Sequence, residues 1–89
     1  MKPTLDVAQL DIDDVKMVVV FLDRPATPAG YTALERAARK AGLEGEIAAV
    51  WADEHGRTRF VARPERHAFF QTAGYDQLRA QINAKIELG

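Results

Sequence analysis

The chain has 89 residues, of which 47% are hydrophobic and 28% charged, with twelve Lys and Arg against thirteen Asp and Glu. That is one domain with a small core, outside the low-hydrophobicity, high-charge range of disordered chains. A formal charge of −1 gives no global pull toward nucleic acid or anionic membrane, and the lack of cysteine excludes disulfides, thiolate nucleophiles and Cys-ligated metals.

Residues 1–14 read equally as an acidic N-terminal arm or as an edge strand. Leu5, Val7, Leu10 and Ile12 alternate with polar neighbours, and Asp6, Asp11, Asp13 and Asp14 have no Lys or Arg between them. Those aspartates stand where a secretory signal would be apolar, and the longest apolar run, Met17 to Leu22, is too short to span a bilayer. Together with the missing cysteines this gives a cytoplasmic expectation. A single α/β domain over 15–89 follows the arm.

Val15 to Leu22 reads VKMVVVFL and predicts a central strand covered on both faces. Two prolines and a glycine make Asp23 to Gly30 a loop. Thr32 to Glu35 has the capping-box spacing, Leu34, Ala37, Ala38 and Ala41 share one helical face, and Gly42 ends the helix. Glu46 to Ala52 and Arg57 to Arg63 predict a hairpin closed by Asp53-Glu54-His55-Gly56. Pro64 opens a short helix to about Thr72. After Gly74 the spacing of Tyr75, Leu78, Ile82 and Ile86 predicts a C-terminal helix, with a last short strand at 85–88 as the alternative.

The fold class is therefore α+β in the order βαββα, with one mixed sheet of three to four strands and helices packed on it, and a ferredoxin-like variant is compatible. Asp23-Arg24-Pro25 after a valine-rich strand, the helix ending Ala41-Gly42-Leu43 and the hairpin beyond it resemble ACT-type regulatory domains. The resemblance implies a βαββαβ fold and amino-acid binding. Ala26 stands where that family usually has glycine, and the loop here is longer.

No catalytic constellation stands out, so an enzyme is disfavoured, and no cofactor or metal is expected. Asp11, Asp13 and Asp14 lack the glycine bend and distal glutamate of a calcium loop. His55 and His67 lack a local ligand spacing. Three readings follow from the remaining residues. The first is a non-catalytic interaction or regulatory module, as a homodimer or on a larger protein, with Phe69, Phe70 and Trp51 as contact candidates. Phe69 and Phe70 lie about 100° apart on a helix and do not easily share one buried face. The second is single-stranded nucleic-acid binding through the basic hairpin of Arg57, Arg59, Arg63 and Arg66. Phe60 faces away from those arginines, and Trp51 is expected to do the same, which leaves that face without a stacking platform. The third is a small-ligand sensor or cofactor-free enzyme at the Asp23 to Gly30 loop, with Asp23, Arg24, Tyr31 and His67 around a cleft.

Overall fold

The computed structural model describes residues 3–88. Met1, Lys2 and Gly89, the ends of the two ranges above, lie outside the described residues. The elements are β1 (Thr4–Ile12), β2 (Val15–Phe21), α1 (Pro28–Lys40), β3 (Glu46–Ala52), β4 (Thr58–Val61), α2 (His67–Thr72), α3 (Tyr75–Arg79) and β5 (Ala84–Glu87). A 3-10 turn over Pro64–Arg66 leads into α2. One five-stranded mixed sheet in the order β4-β3-β2-β1-β5 takes all the strands, with β2 and β3 parallel and the other neighbours antiparallel.

Two elements enlarge the sheet beyond the three to four strands expected. Residues 4–12 are neither a free arm nor an edge: β1 lies between β2 and β5. Its apolar pattern changes face midway. Leu5 and Val7 pack under α1, whereas Ala8, Leu10 and Ile12 pack under α2 and α3. Ile12 pairs with Val15, so Asp13 and Asp14 alone form the loop, at φ 51° and 65°. A two-residue hairpin loop of the primed type needs positive φ at both positions, and aspartate tolerates it better than most side chains. Of the four aspartates of the acidic stretch, Asp13 and Asp14 thus make a turn, and Asp6 and Asp11 lie within β1.

The second correction is at the C-terminus. The helix stops at Arg79, and Ala84–Glu87 pairs with β1. Asn83 makes the transition. Its N–H donates to Val7 O at 3.0 Å, and its side-chain Oδ1 accepts from Gln9 N at 3.1 Å. A continued helix would leave that edge of β1 unpaired and Val7 without the cover of Ile86. Leu78 and Ile86, which share a helical spacing, in fact lie on opposite faces of the sheet. The ferredoxin-like variant is not realised either, because β3 lies directly against β2 with no strand between them.

Both faces of the central strand are covered, as VKMVVVFL predicts. Met17, Val19 and Phe21 face α2 and α3, and Val18 and Val20 face α1, all five nearly inaccessible. Helix α1 starts one turn earlier than the capping box implies. Thr27 is its N-cap, accepting from Gly30 N at 3.0 Å, with Pro28 in the first turn. Thr32 is interior, its hydroxyl turned to Pro28 O. At the other end Gly42 adopts φ 81°, with Gly42 N–H to Arg39 O and Leu43 N–H to Ala38 O. This is the paired Schellman closure that glycine permits. The result is three layers: α1, the sheet, and the 3-10 turn with α2 and α3.

Candidate functional site

Helix α1 packs against β3 and β5, toward the far side of the sheet from β4. The side chains β4 turns to that helix's face of the sheet, Arg59 and Val61, are exposed, as is Arg63 just beyond. Val61 is the one large exposed hydrophobic among the described residues. Trp51 pairs directly with Arg59, and directly opposed residues of an antiparallel pair share a face. Trp51 is therefore half-buried beside the arginines, not with Phe60 on the opposite face. The expectation that the basic face carries no aromatic is corrected.

β4 is also an open edge. Its hydrogen-bond phase follows from two contacts: Asp53 N–H donates to Arg57 O at 3.0 Å, and Leu22 N–H donates to Val50 O at 2.8 Å. The first makes Asp53 and Arg57 a hydrogen-bonded pair, and the alternation then assigns Trp51–Arg59 and Ala49–Val61 to the ladder. The second turns Val50 toward β2. Thr58 and Phe60 consequently direct their main-chain N–H and C=O groups away from β3. A groove of about 960 Å³ runs around this edge, between Trp51, Arg59 and Val61 on one side and Phe60, His67 and Tyr75 on the other.

The four arginines of the hairpin share two carboxylates. Arg57 and Arg59 reach Asp53 at 3.0 and 3.3 Å, and Arg63 and Arg66 reach Glu46 at 3.8 and 3.0 Å. Arg57, Arg59 and Arg63 keep 65%, 58% and 70% of their side-chain surface, whereas Arg66 keeps 12%. Three are surface groups and the fourth is structural. Among the described residues none pairs with the acidic N-terminal stretch. Asp6 instead faces Arg79 at 3.4 Å and Lys85 at 3.7 Å.

Asp53 also organises the turn. Its Oδ1 accepts from His55 N and Arg57 N, each at 2.9 Å, and its Oδ2 accepts from Arg57 Nε. The Arg57 amide is the largest cause, and together these donors hold its pKa at about 2. A depressed folded-state pKa stabilises the turn fully above the ordinary aspartate value of about 3.9. That contribution is lost as the pH falls through about 2. The His55 and Arg57 amide resonances are therefore expected to shift with an acid midpoint near 2, and Asp53→Asn to remove that step. A midpoint at the ordinary aspartate value would overturn the assignment.

The residues expected around the Asp23 to Gly30 loop are spread over three places. Asp23 and Arg24 pair with each other at 3.3 Å on the rim of a groove of about 650 Å³. Arg79 lies in that groove, 5.5 Å from the Phe21 ring centre and 5.9 Å from that of Tyr75. Tyr31 is elsewhere, its hydroxyl donating to Ile47 O at 2.6 Å under α1. Burial first, then Glu35 and Glu46, raise its pKa. His67 lies 3.0 Å from Ala62 O through Nε2, which must carry the proton because a carbonyl only accepts, and its ring packs edge-on against Phe60. Of the contact candidates, Phe70 is fully buried in the core, and Phe69 is partly buried and packs edge-on against it. His55 is exposed in its turn beside Glu54. Among the described residues no three His, Cys, Asp or Glu converge as metal ligands, and no helix is long and apolar enough to cross a membrane.

The pattern around Arg79 does not single it out, since it reads as part of the polar complement of a helix. Only the pairing of β1 with β5 brings it beside Asp6. What the fold defines is a small α+β domain with an exposed, arginine-lined sheet edge. No family model matches the chain, and neither the curated proteins nor the solved structures yield a similar one.

Proposed function

We propose that this chain is a protein-interaction module that takes an extended segment of a larger partner as an added strand on β4. The observation that carries this reading is the coincidence of three features on one short strand. Thr58 and Phe60 turn their main-chain groups outward, Val61 is exposed beside the half-buried Trp51, and Arg59 on the same flank is exposed as well. Strand addition draws affinity from main-chain hydrogen bonds and specificity from alternate side chains, and β4 offers both. A regulatory role follows if the partner's activity depends on that segment being held.

The reading is tested by selecting binders from a random-peptide phage library on the full chain and mapping them by amide resonances. Selected peptides are expected to shift the Thr58 and Phe60 amides and slow their hydrogen exchange. Selection of no peptide, or shifts confined to the groove at Asp23, Arg24 and Arg79, would overturn it.

Single-stranded nucleic-acid binding is the second reading, favoured by one observation: Trp51 stands across the strand pair from Arg59. Base stacking on Trp51 with phosphates on Arg59 and Arg63 would give affinity that falls steeply with salt. Joint replacement Arg59→Ala and Arg63→Ala is expected to abolish oligothymidylate binding, and retained binding would exclude this reading.

A further inference from the structure

We infer that the segment β4 accepts is acidic, with carboxylates at alternate positions of an extended strand, and that a second copy of this chain is not its occupant. This rests on the strand-addition reading above and adds the chemistry of the partner.

The sheet has two edges, and their charges differ. The outer strand β5 exposes Lys85 and Glu87, one charge of each sign, and Lys85 already faces Asp6. Arg59 is the one charged side chain within β4, and the nearest charged residues that alternate with it, Arg57 just before the strand and Arg63 just after it, are also arginines. Glu54 and Glu65 lie beyond the two ends of the strand. The nearby carboxylates, Asp53 and Glu46, are each shared by two guanidiniums, so positive charge stays in excess along the edge.

Self-pairing meets this charge directly. An isologous antiparallel pair has a two-fold axis normal to the sheet, which keeps each side chain on its own face and centres the register on one residue. Centred on Arg59, the register sets that arginine against its own copy. Centred on Phe60, it sets Arg57 against Arg63, and centred on Thr58 it sets Arg57 against Arg59. Directly opposed like charges destabilise a strand pair. Charged edges are the usual guard against unwanted sheet growth. Here the guard has a single sign, so it rejects copies of itself and apolar strands while matching an acid-bearing one.

A polyanionic nucleic acid satisfies the arginines equally well. It leaves the outward main-chain groups of Thr58 and Phe60 without strand partners, however, and the observations therefore favour a peptide.

The test uses the full chain and a synthetic, dye-labelled peptide, Glu-Val-Leu-Val-Glu-Thr-Glu, whose three glutamates fall opposite Arg63, Arg59 and Arg57 in an antiparallel register. Its comparators are the same peptide with glutamine for each glutamate, one with lysine for each glutamate, one with an N-methylated backbone at alternate residues, and an oligothymidylate. Fluorescence anisotropy is expected to show the acidic peptide binding about tenfold more tightly than the glutamine version at low salt, as three exposed ion pairs allow. The difference should shrink as salt is added. The lysine and N-methylated peptides should not bind, and Arg59→Gln with Arg63→Gln should remove most of the difference between the acidic and glutamine peptides without changing the fold, leaving the share of Arg57. Equal binding of the acidic and glutamine peptides to the unaltered chain would overturn the acidic partner while leaving strand addition standing. Equal binding of the N-methylated peptide, or no peptide binding at all, would overturn both. Tighter binding of the oligothymidylate than of any peptide would transfer the edge to nucleic acid. A concentration-dependent dimer that protects the Thr58 and Phe60 amides would identify a second copy instead.

Discussion

Phe70→Ala is expected to remove about 3–5 kcal/mol of stability, the usual loss for a large aromatic cut out of a closed core. Its side chain is fully buried, 5.4 Å from the Phe60 ring centre and 5.2 Å from that of Phe69. No other aromatic on the α2 side of the sheet is as completely enclosed. Total stability of small domains is about 5–15 kcal/mol, so the variant is expected to lie near the folding threshold. Phe69→Ala should cost much less, because Phe69 is only partly buried. Urea unfolding followed by the fluorescence of Trp51, the single tryptophan, measures both. A loss at Phe70 below that at Phe69 would contradict the packing. A loss that depends on protein concentration would return Phe70 to an intermolecular contact.

That comparison bears on function. A doublet of adjacent phenylalanines on a short helix invites an interface reading, because neighbours on a helix diverge by about 100°. The resolution lies in where α2 sits. The turn at Pro64–Arg66 brings α2 back along β4, so the sheet takes Phe70 from below while Phe69 borders the same cluster from the side. With Phe70 enclosed and Phe69 packed against it, the exposed apolar side chain is Val61, beside the half-buried Trp51 on the other side of the sheet.

How much of this was legible follows from the range of the interactions involved. VKMVVVFL announced a doubly covered central strand because its apolar character needs no partner to be recognised. The β3–β4 hairpin was equally local: the Asp53 carboxylate caps the turn within a few residues, and Gly56 takes the left-handed position at φ 77°. A strand at each end of the chain stands in the sequence only as one of two alternatives, because β1 and β5 are each specified by the other. Leu5 and Val7 face α1 while Ala8, Leu10 and Ile12 face α2 and α3, so no single-face alternation runs the length of β1. Ile86 keeps a helical spacing from Leu78 by coincidence, and only the free edge of β1 makes a strand there preferable. Asp13-Asp14 is a weaker hairpin signal than Asn-Gly or Asp-Gly, and it was masked by the acidic residues before it.

The candidate site divides in the same way. The arginine-rich strand and its outward face could be read from alternation alone. Its openness could not, because that depends on where α1 packs, against β3 and β5, with Arg59 and Val61 left exposed. The sharing of four guanidiniums between Asp53 and Glu46 likewise needs the β3–β4 register. That sharing changes the meaning of the basic stretch, from four free cations to three exposed ones held in place and one that is structural.

The second large effect is expected at that structural pair. Glu46 Oε2 accepts from Arg66 Nε at 3.0 Å, and both side chains keep only 12% of their surface. The contact clasps the start of β3 to the turn that follows β4, and it thereby fixes the path into α2. Glu46→Gln keeps the shape and deletes the charge. It leaves the Arg66 guanidinium largely enclosed, with Arg63 beside it and no carboxylate to balance either. Removing one member of a well-buried pair costs about 3–5 kcal/mol, and about 2–3 kcal/mol is expected here because some solvent reaches both groups. Replacing both partners with apolar groups, Glu46→Leu with Arg66→Met, should restore most of that loss, since the penalty lies in the stranded charge rather than in a missing attraction. A double-mutant cycle by urea unfolding separates the two terms. If the double variant is as unstable as the sum of the singles, the pair is not coupled and the clasp is only a surface contact. If the double variant recovers stability and still binds the acidic peptide, the exposed arginines of β4 act without help from Arg66, and recognition and folding are carried by different members of one arginine-rich stretch.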